Sequence, residues 1–451
     1  MRTLILALFL FLSSFIQASE NESPYIISLE TAPQLVPVYL NSSLITDSKV
    51  TDDYKKEAYQ ILLFDLDNSG LVQVMSKSNP LDAQAKLIAE GKNGPFQGKD
   101  KPAYFIIPKI EDTNLSVILY STNHDWTKKF SVGALTLNIK QDRAKFHLLS
   151  DEIHKVLFGK SGIASTKIIY TLRSTGKNDW ISDIYEMDYD GASNQKLLRD
   201  EGYIVTPQYV PPAQGKKSGS ILYVSYKNGI PKIYFASLID GKTSRFTKMN
   251  GNQLMPTMNR DRTYIAFVSD VTGNPDLFLA PFNGNIDPNL KPFQLFSSKM
   301  GVQGTPAFSP DGRKLAFVSN KDGSARIYIA EVPEKQGFVK GQLPELLTRF
   351  RRNCTAPSWS PDGTKIAYCS PVDGVHQIFC YDLRTGEETQ VTTGSLEKQN
   401  PSFAPNSLHL VYNSSNGFES DLYIINLNQK KPVKISSGSG EKRFPHWEPR
   451  N

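Results

Sequence analysis

The chain is 451 residues long, with 39% hydrophobic and 21% charged residues and a formal charge of +6, which is more than one ordinary core serves and implies two domains, or a large repeat domain with a smaller one. Its Lys and Arg residues are scattered rather than gathered into a stripe, which argues against a nucleic-acid partner. Aromatics at 11%, with 28 Pro and 30 Gly, point to many short strands joined by tight turns.

At the N-terminus a single early charge, Arg2, precedes an apolar run over residues 4–12 and a small, polar stretch up to Ser19. That run is short for a membrane span and suits a secretory signal peptide covering residues 1–18, cleaved after Ala18. No Cys lies near the cleavage region, so a lipid anchor is not expected. No later segment is apolar enough to span a bilayer.

Residues 19–160 read as a small α/β domain. Residues 53–66 place Tyr54, Ala58, Ile61 and Leu62 on one helical face, and 71–75 reads as a strand. Strands are expected at 103–107 and 115–121, around the turn Glu111-Asp112-Thr113-Asn114. A helix over 142–158 spaces Leu149, Ile153, Val156 and Leu157 for one face and stops at Gly159. A Gly- and Ser-rich linker follows at 159–165.

From residue 165 to the end an internal repeat dominates. Pro-x-aromatic triplets begin at Pro207, Pro256, Pro306, Pro357, Pro401 and Pro445, with Met258 replacing the aromatic once. A turn follows each, plainest in Ser309-Pro310-Asp311-Gly312 and Ser360-Pro361-Asp362-Gly363, where Pro sets one dihedral and Gly accepts positive φ. Turns at 259–262 and 404–407 are degenerate. Second strands such as Ile221-Leu222-Tyr223-Val224-Ser225, third strands such as Lys232-Ile233-Tyr234 and a more polar fourth strand complete each unit. Four short antiparallel strands repeated six times describe a mainly β chain with a six-bladed β-propeller at 165–451. The first unit, starting near Lys167, lacks its own Pro-aromatic strand, and the chain ends with an orphan one at Pro445-His446-Trp447. The C-terminal strand is therefore expected to complete the first blade and close the ring.

Three cysteines, Cys354, Cys369 and Cys380, make no disulfide framework. Cys369 and Cys380 flank the Asp373-Gly374 turn, but a two-residue hairpin would set 369 opposite 378, so small buried hydrophobes are the simpler expectation. The histidines His124, His147, His154, His376, His409 and His446 show no metal-ligand spacing. Asp311 and Asp362, at equivalent turn positions, offer carboxylates that could hold calcium, but acceptance of hydrogen bonds from their own turns explains them more simply. Arg349, Arg351 and Arg352 form a basic cluster before the fifth blade's inner strand. No Gly-x-Ser-x-Gly elbow and no hydrolase domain after the propeller are present, and no catalytic residue, cofactor or metal is assigned.

These features together resemble the periplasmic TolB family. The resemblance covers most of the chain and is carried by the six blades, by Asp65-Leu66-Asp67-Asn68-Ser69-Gly70, by Ser150-Asp151-Glu152-Ile153 and by the closing Arg443-Phe444-Pro445-His446-Trp447-Glu448-Pro449. It implies a non-enzymatic, monomeric periplasmic scaffold of the Tol-Pal system, without membrane insertion. Such a scaffold docks the peptidoglycan-associated lipoprotein Pal and links to Tol proteins for envelope integrity and outer-membrane constriction at division. The segment that engages TolA in that family is not visibly reproduced. A hydrolase or lyase site in the axial channel is the alternative, and it would need inward-facing carboxylates and histidines from several blades. In a propeller the innermost strands begin together around the axis, so the residues leading into them share one rim. Read through the resemblance, the Pal-docking rim comprises Asn252 and Met255, Gln303 and Thr305, Asn353 and Thr355, and Gln399 and Asn400. Thr305 and Gln399 are expected to be exposed on it.

Overall fold

The computed structural model describes residues 35–450 apart from 43–44, 47–49, 93–95, 97–99, 175–180, 201, 214–215, 285, 288 and 335–342. The expected signal peptide and its cleavage point lie outside the described residues.

Helix α1 (Asp52–Asp67) starts where the Thr51 side chain accepts from Tyr54 N, and it buries Tyr54, Ala58, Ile61 and Leu62, the face read from the sequence. Helix α2 (Asn79–Ala89) was not foreseen; it starts at Ser78 with Pro in its first turn. Helix α3 (Ile139–Phe158) is capped by Asn138 and ends at Gly159, whose φ of 73° is the left-handed stop that glycine accepts without strain. The sheet runs Val72–Val74, Val36–Leu40, Tyr104–Glu111, Asn114–Ser121, Trp126–Ala134, with its first two pairings parallel and the rest antiparallel. Asp112 and Thr113, at φ 44° and 70°, form the two-residue hairpin turn that positive φ at both positions favours. Alternation sorts the sheet's side chains: Ile106 and Ile110 pack with α1 and α3, whereas Phe105 and Ile107 pack with α2 on the other face.

Beyond Lys167 the chain folds into six antiparallel units of four strands. The second blade spans Ile204–Tyr209 to Thr243–Arg245, the third Gln253–Met258 to Phe293–Phe296, the fourth Gln303–Phe308 to Glu345–Leu346, the fifth Thr355–Trp359 to Glu388–Gln390, and the sixth Glu397–Phe403 to Pro432–Lys434. The first blade is composite: Glu441–Trp447 pairs antiparallel with Lys167–Arg173, which continues into Ser182–Asp188 and Gln195–Arg199. Each innermost strand touches the next around the ring, including the closing strand and the second blade's. The C-terminus therefore closes the propeller. Trp447, 1% exposed, anchors it by donating from Nε1 to Thr166 Oγ1 at 2.8 Å.

A bulge recurs in every innermost strand. In the second blade Val205 pairs with Val224 and Gln208 with Leu222, so Thr206 and Pro207 together stand opposite Tyr223. The residue before the proline is left-handed in all six blades: Thr206, Met255, Thr305, Ala356, Asn400 and Phe444 have φ between 36° and 53°. Proline fits the second bulge position because the ladder is interrupted there and needs no donor. Opposite each bulge lies a buried aromatic that packs on an aromatic of the third strand: Tyr170 on Tyr185, Tyr223 on Tyr234, Phe267 on Phe278, Tyr368 on Phe379 and Tyr412 on Tyr423 stacked, and Phe317 on Tyr328 tilted. Their ring centroids are 5.7–6.1 Å apart. The degenerate turns keep the same backbone, since Arg262 and Ser407 adopt the positive φ that Gly312 and Gly363 supply elsewhere.

The α/β domain sits on turns of the first and sixth blades. His409 Nε2 donates to the Asn68 carbonyl at 2.6 Å, Asn428 Nδ2 to the Gly70 carbonyl at 2.9 Å, and Tyr189 Oη to Asp65 at 2.8 Å. The linker is pinned: Asp151 accepts from Ala164 N at 2.7 Å and Ser165 N at 3.1 Å, while Arg450 reaches Asp151 at 3.1 Å and the Gly162 carbonyl at 2.8 Å. His147 and His154 are both buried, packed into this joint.

Candidate functional site

The antiparallel ladder gives the propeller two unlike faces. Turns from first to second strands and from third to fourth strands lie on the face that carries the α/β domain. Hairpins between second and third strands, and the loops leading into each innermost strand, lie on the opposite, open face. Its loops include 226–231, 270–275, 297–302, 348–354, 392–396 and 416–419.

The sequence-derived rim residues all lead into innermost strands on this open face, but the structure divides them. Asn353 is exposed, and Asn252 is half-buried, its amide donating to Asp270 at 2.6 Å and capping the strand start. Thr355 and Gln399 are half-buried strand residues paired with Cys369 and Asn413. Gln303, 4% exposed, packs inside and donates to the Gly301 carbonyl at 3.2 Å. Met255, Thr305 and Asn400 are bulge residues that line the axial channel. The expectation that Thr305 and Gln399 are exposed is therefore corrected: the bulge holds Thr305 at φ 36° with its hydroxyl buried, and ladder pairing holds Gln399 half-buried.

Sequence reasoning, which emphasised polar residues, missed the apolar ones on the same face. Of the ten exposed large hydrophobics among the described propeller residues, Ile181, Ile230, Val271, Met300, Val302, Phe350, Leu396 and Phe418 lie on the open face, and only Ile239 and Leu343 on the other. Met300, Phe350 and Phe418 are 89%, 93% and 82% exposed. Single apolar residues within polar loops, as in Thr348-Arg349-Phe350-Arg351-Arg352, were the available signal. In that loop Arg351 lies 3.6 Å over the Phe379 ring and 3.4 Å from Glu388, whereas Arg349 and Arg352 are exposed. This makes the loop both basic and apolar.

The axial channel encloses about 270 Å³ and is lined by the six bulge residues, by the prolines that follow five of them (Pro207, Pro306, Pro357, Pro401 and Pro445), and by residues that include Arg260, His446 and Arg450. Burial lowers the His446 imidazole to about 4, and its Nδ1 lies 3.3 Å from Tyr209 N, placed to accept. No Asp or Glu is among its described lining residues. The turn carboxylates serve their own turns: Asp311 accepts from Ser309 Oγ at 2.5 Å and Arg313 N at 3.1 Å, bonds that hold it below the usual carboxylate range. Asp362 accepts from Ser360 Oγ at 2.6 Å and Thr364 N at 3.0 Å; burial alone would raise it, but these bonds bring it below its ordinary value. Cys369 stands opposite Ile378, as the hairpin register implies. All three cysteines are free and buried, and burial pushes the Cys369 and Cys380 thiols up to about 12.

The profile of the TolB beta propeller domain matches residues 154–451. The chain is 45% identical over 395 residues to a TolB homolog of Protochlamydia amoebophila, covering 86% of this chain and 84% of that one. It is 41% identical over 297 residues to a TolB homolog of Chlamydia caviae, covering 65% and 67%. Among solved structures, TolB from Acinetobacter baumannii superposes with a TM-score of 0.72 at 24% identity, over 93% of this chain and 98% of that one. A profile match over more than half the chain, with a relative aligned along most of both lengths, shows that the protein belongs to the TolB family.

Proposed function

We propose that the protein is a periplasmic docking scaffold of the Tol-Pal type, whose open face binds the peptidoglycan-associated lipoprotein Pal and couples it to the Tol proteins for envelope integrity and outer-membrane constriction. The observation that carries this reading is the concentration of exposed hydrophobics on the face opposite the α/β domain. Solvent-facing apolar residues gathered on one face of a soluble domain mark interaction surfaces, and a rim of half-buried Asn, Gln and Thr around them supplies the polar margin of such an interface. Localisation in the periplasm follows the family and the apolar N-terminal run. No helix among the described residues is long and apolar enough to cross a membrane.

Calorimetric titration of the full chain with Pal tests the proposal. The double variant Met300→Ser, Phe350→Ser should weaken binding by at least tenfold with an unchanged melting temperature. Leu148→Ser, an exposed position on α3 of the α/β domain, should bind like the parent. Equal affinity for parent and double variant, or loss of binding only in Leu148→Ser, would move the site off the open face.

A further inference from the structure

At the joint between the domains, His147 of α3 meets the Asp188-Tyr189-Asp190 turn of the first blade. His147 Nδ1 lies 3.0 and 2.9 Å from the two Asp65 oxygens, so in the neutral ring the proton sits on Nδ1 and Nε2 carries the lone pair. Burial would lower the imidazole, but the Asp65 and Asp190 carboxylates raise it above its ordinary value, so a metal at Nε2 displaces a proton. Asp65 is itself held by the Tyr189 hydroxyl at 2.8 Å. His147 is 1% exposed, and its Nε2 is buried without a hydrogen-bond partner. That nitrogen lies 3.6 Å from Asp190 Oδ2. A ring nitrogen of His147 and one oxygen each from Asp188 and Asp190 all fall within 4.8 Å of one another.

A carboxylate on the far nitrogen fixes the tautomer and tilt of a metal-binding imidazole, and Asp65 occupies that position here. Tetrahedral zinc, with bonds of about 2.0–2.1 Å, separates its ligands by about 3.3 Å. The observed 3.6 Å is near that spacing and too long for a hydrogen bond. We propose that His147, Asp188 and Asp190 bind a divalent transition metal, with zinc the best match to one imidazole and two carboxylates, and that the ion clamps the α/β domain to the first blade. Two cations border the site. Arg143 bonds Asp190 Oδ2, and Lys167 lies 3.7 Å from Asp188 Oδ1 but nearer Glu186, at 3.0 Å. With His147 neutral, Asp65, Glu186, Asp188 and Asp190 exceed these two cations by two charges, a negative balance that a divalent ion would neutralise. Arg143 is then the direct competitor for Asp190.

Titration of the untagged full chain with Zn(II) at neutral pH, followed by calorimetry and by thermal unfolding, tests the site. One saturable site is expected, with a rise in melting temperature. Both His147→Gln and Asp188→Asn should weaken it at least tenfold, and Arg143→Gln should bind at least as tightly as the parent. Asp188 is only partly buried and lies outside the His147–Asp65 pair, so Asp188→Asn keeps the test decisive if His147→Gln fails to fold. Absence of saturable binding, or parental affinity in folded Asp188→Asn, would overturn the proposal. So would weaker binding in Arg143→Gln.

Discussion

Removing the indole of Trp447 isolates what ring closure contributes. Trp447 sits at the Pro-x-aromatic position of the blade whose strands come from both ends of the repeat region, and it is 1% exposed. Its Nε1 donates to Thr166 at 2.8 Å and its backbone N to Ser402 Oγ at 3.1 Å, which joins the closing strand to both neighbours. Truncating a fully buried Trp to Ala costs about 3–5 kcal/mol, and the lost indole hydrogen bond adds about 1 kcal/mol. In a domain of this size about 1 kcal/mol moves the melting temperature by roughly 2–4 °C, so Trp447→Ala should melt on the order of 10 °C lower. Trp359 occupies the same repeat position in the fifth blade but is only half-buried, with Nε1 3.4 Å from the Gly363 carbonyl. There the loss should be about 1–2 kcal/mol. Urea and thermal unfolding followed by circular dichroism would measure both, and deletion of residues 444–451 should abolish the cooperative propeller transition. Equal losses for the two Trp variants, or a truncated chain that melts like the parent, would refute closure by the C-terminus.

Burial lowers the folded-state His409 imidazole to about 4, so the unfolded chain binds more protons and His409 should remove stability as pH falls from about 6.5 to 4, by no more than about 3 kcal/mol; His409→Gln should flatten that part of the stability profile. Gly191 has φ 90°, and an added Cβ would stand 1.8 Å from the Ile435 carbonyl oxygen, so Gly191→Ala should cost about 2–4 kcal/mol in urea unfolding. Thr305→Arg should lower both stability and Pal affinity because its hydroxyl is buried at a left-handed bulge, whereas Asn353→Arg, at an exposed position, should lower affinity alone. N-terminal sequencing of the mature protein should start after Ala18, and retention of Met1 would contradict export.

The propeller was legible because each blade repeats the same local chemistry. Pro-x-aromatic triplets, Ser-Pro-Asp-Gly turns and period-2 strands recur at matching offsets, and an orphan strand at one end matches a vacancy at the other. Helix α1 was legible because Tyr54, Ala58, Ile61 and Leu62 are spaced for one face. Helix α2 and the strand Trp126–Ala134 were not: the first is short, with Pro80 in its first turn, and the second, with Lys128 and Lys129 exposed, shows little apolar alternation. The left-handed bulge was also hidden, since Thr, Met, Ala, Asn and Phe reach positive φ there only because six identical tertiary contexts hold them. That bulge is why Met255, Thr305 and Asn400 line the channel instead of standing on the rim. The joint around Asp65, His147 and Asp190 joins residues more than 40 positions apart, beyond the reach of any local motif.

Hydrogen exchange of the full chain with and without Pal tests the docking account most directly, because it reports every loop at once. Protection on binding is expected in 297–302, 348–354 and 416–419, with the α/β domain unchanged. Protection confined to residues 52–158, with those loops exchanging as in the free protein, would contradict it.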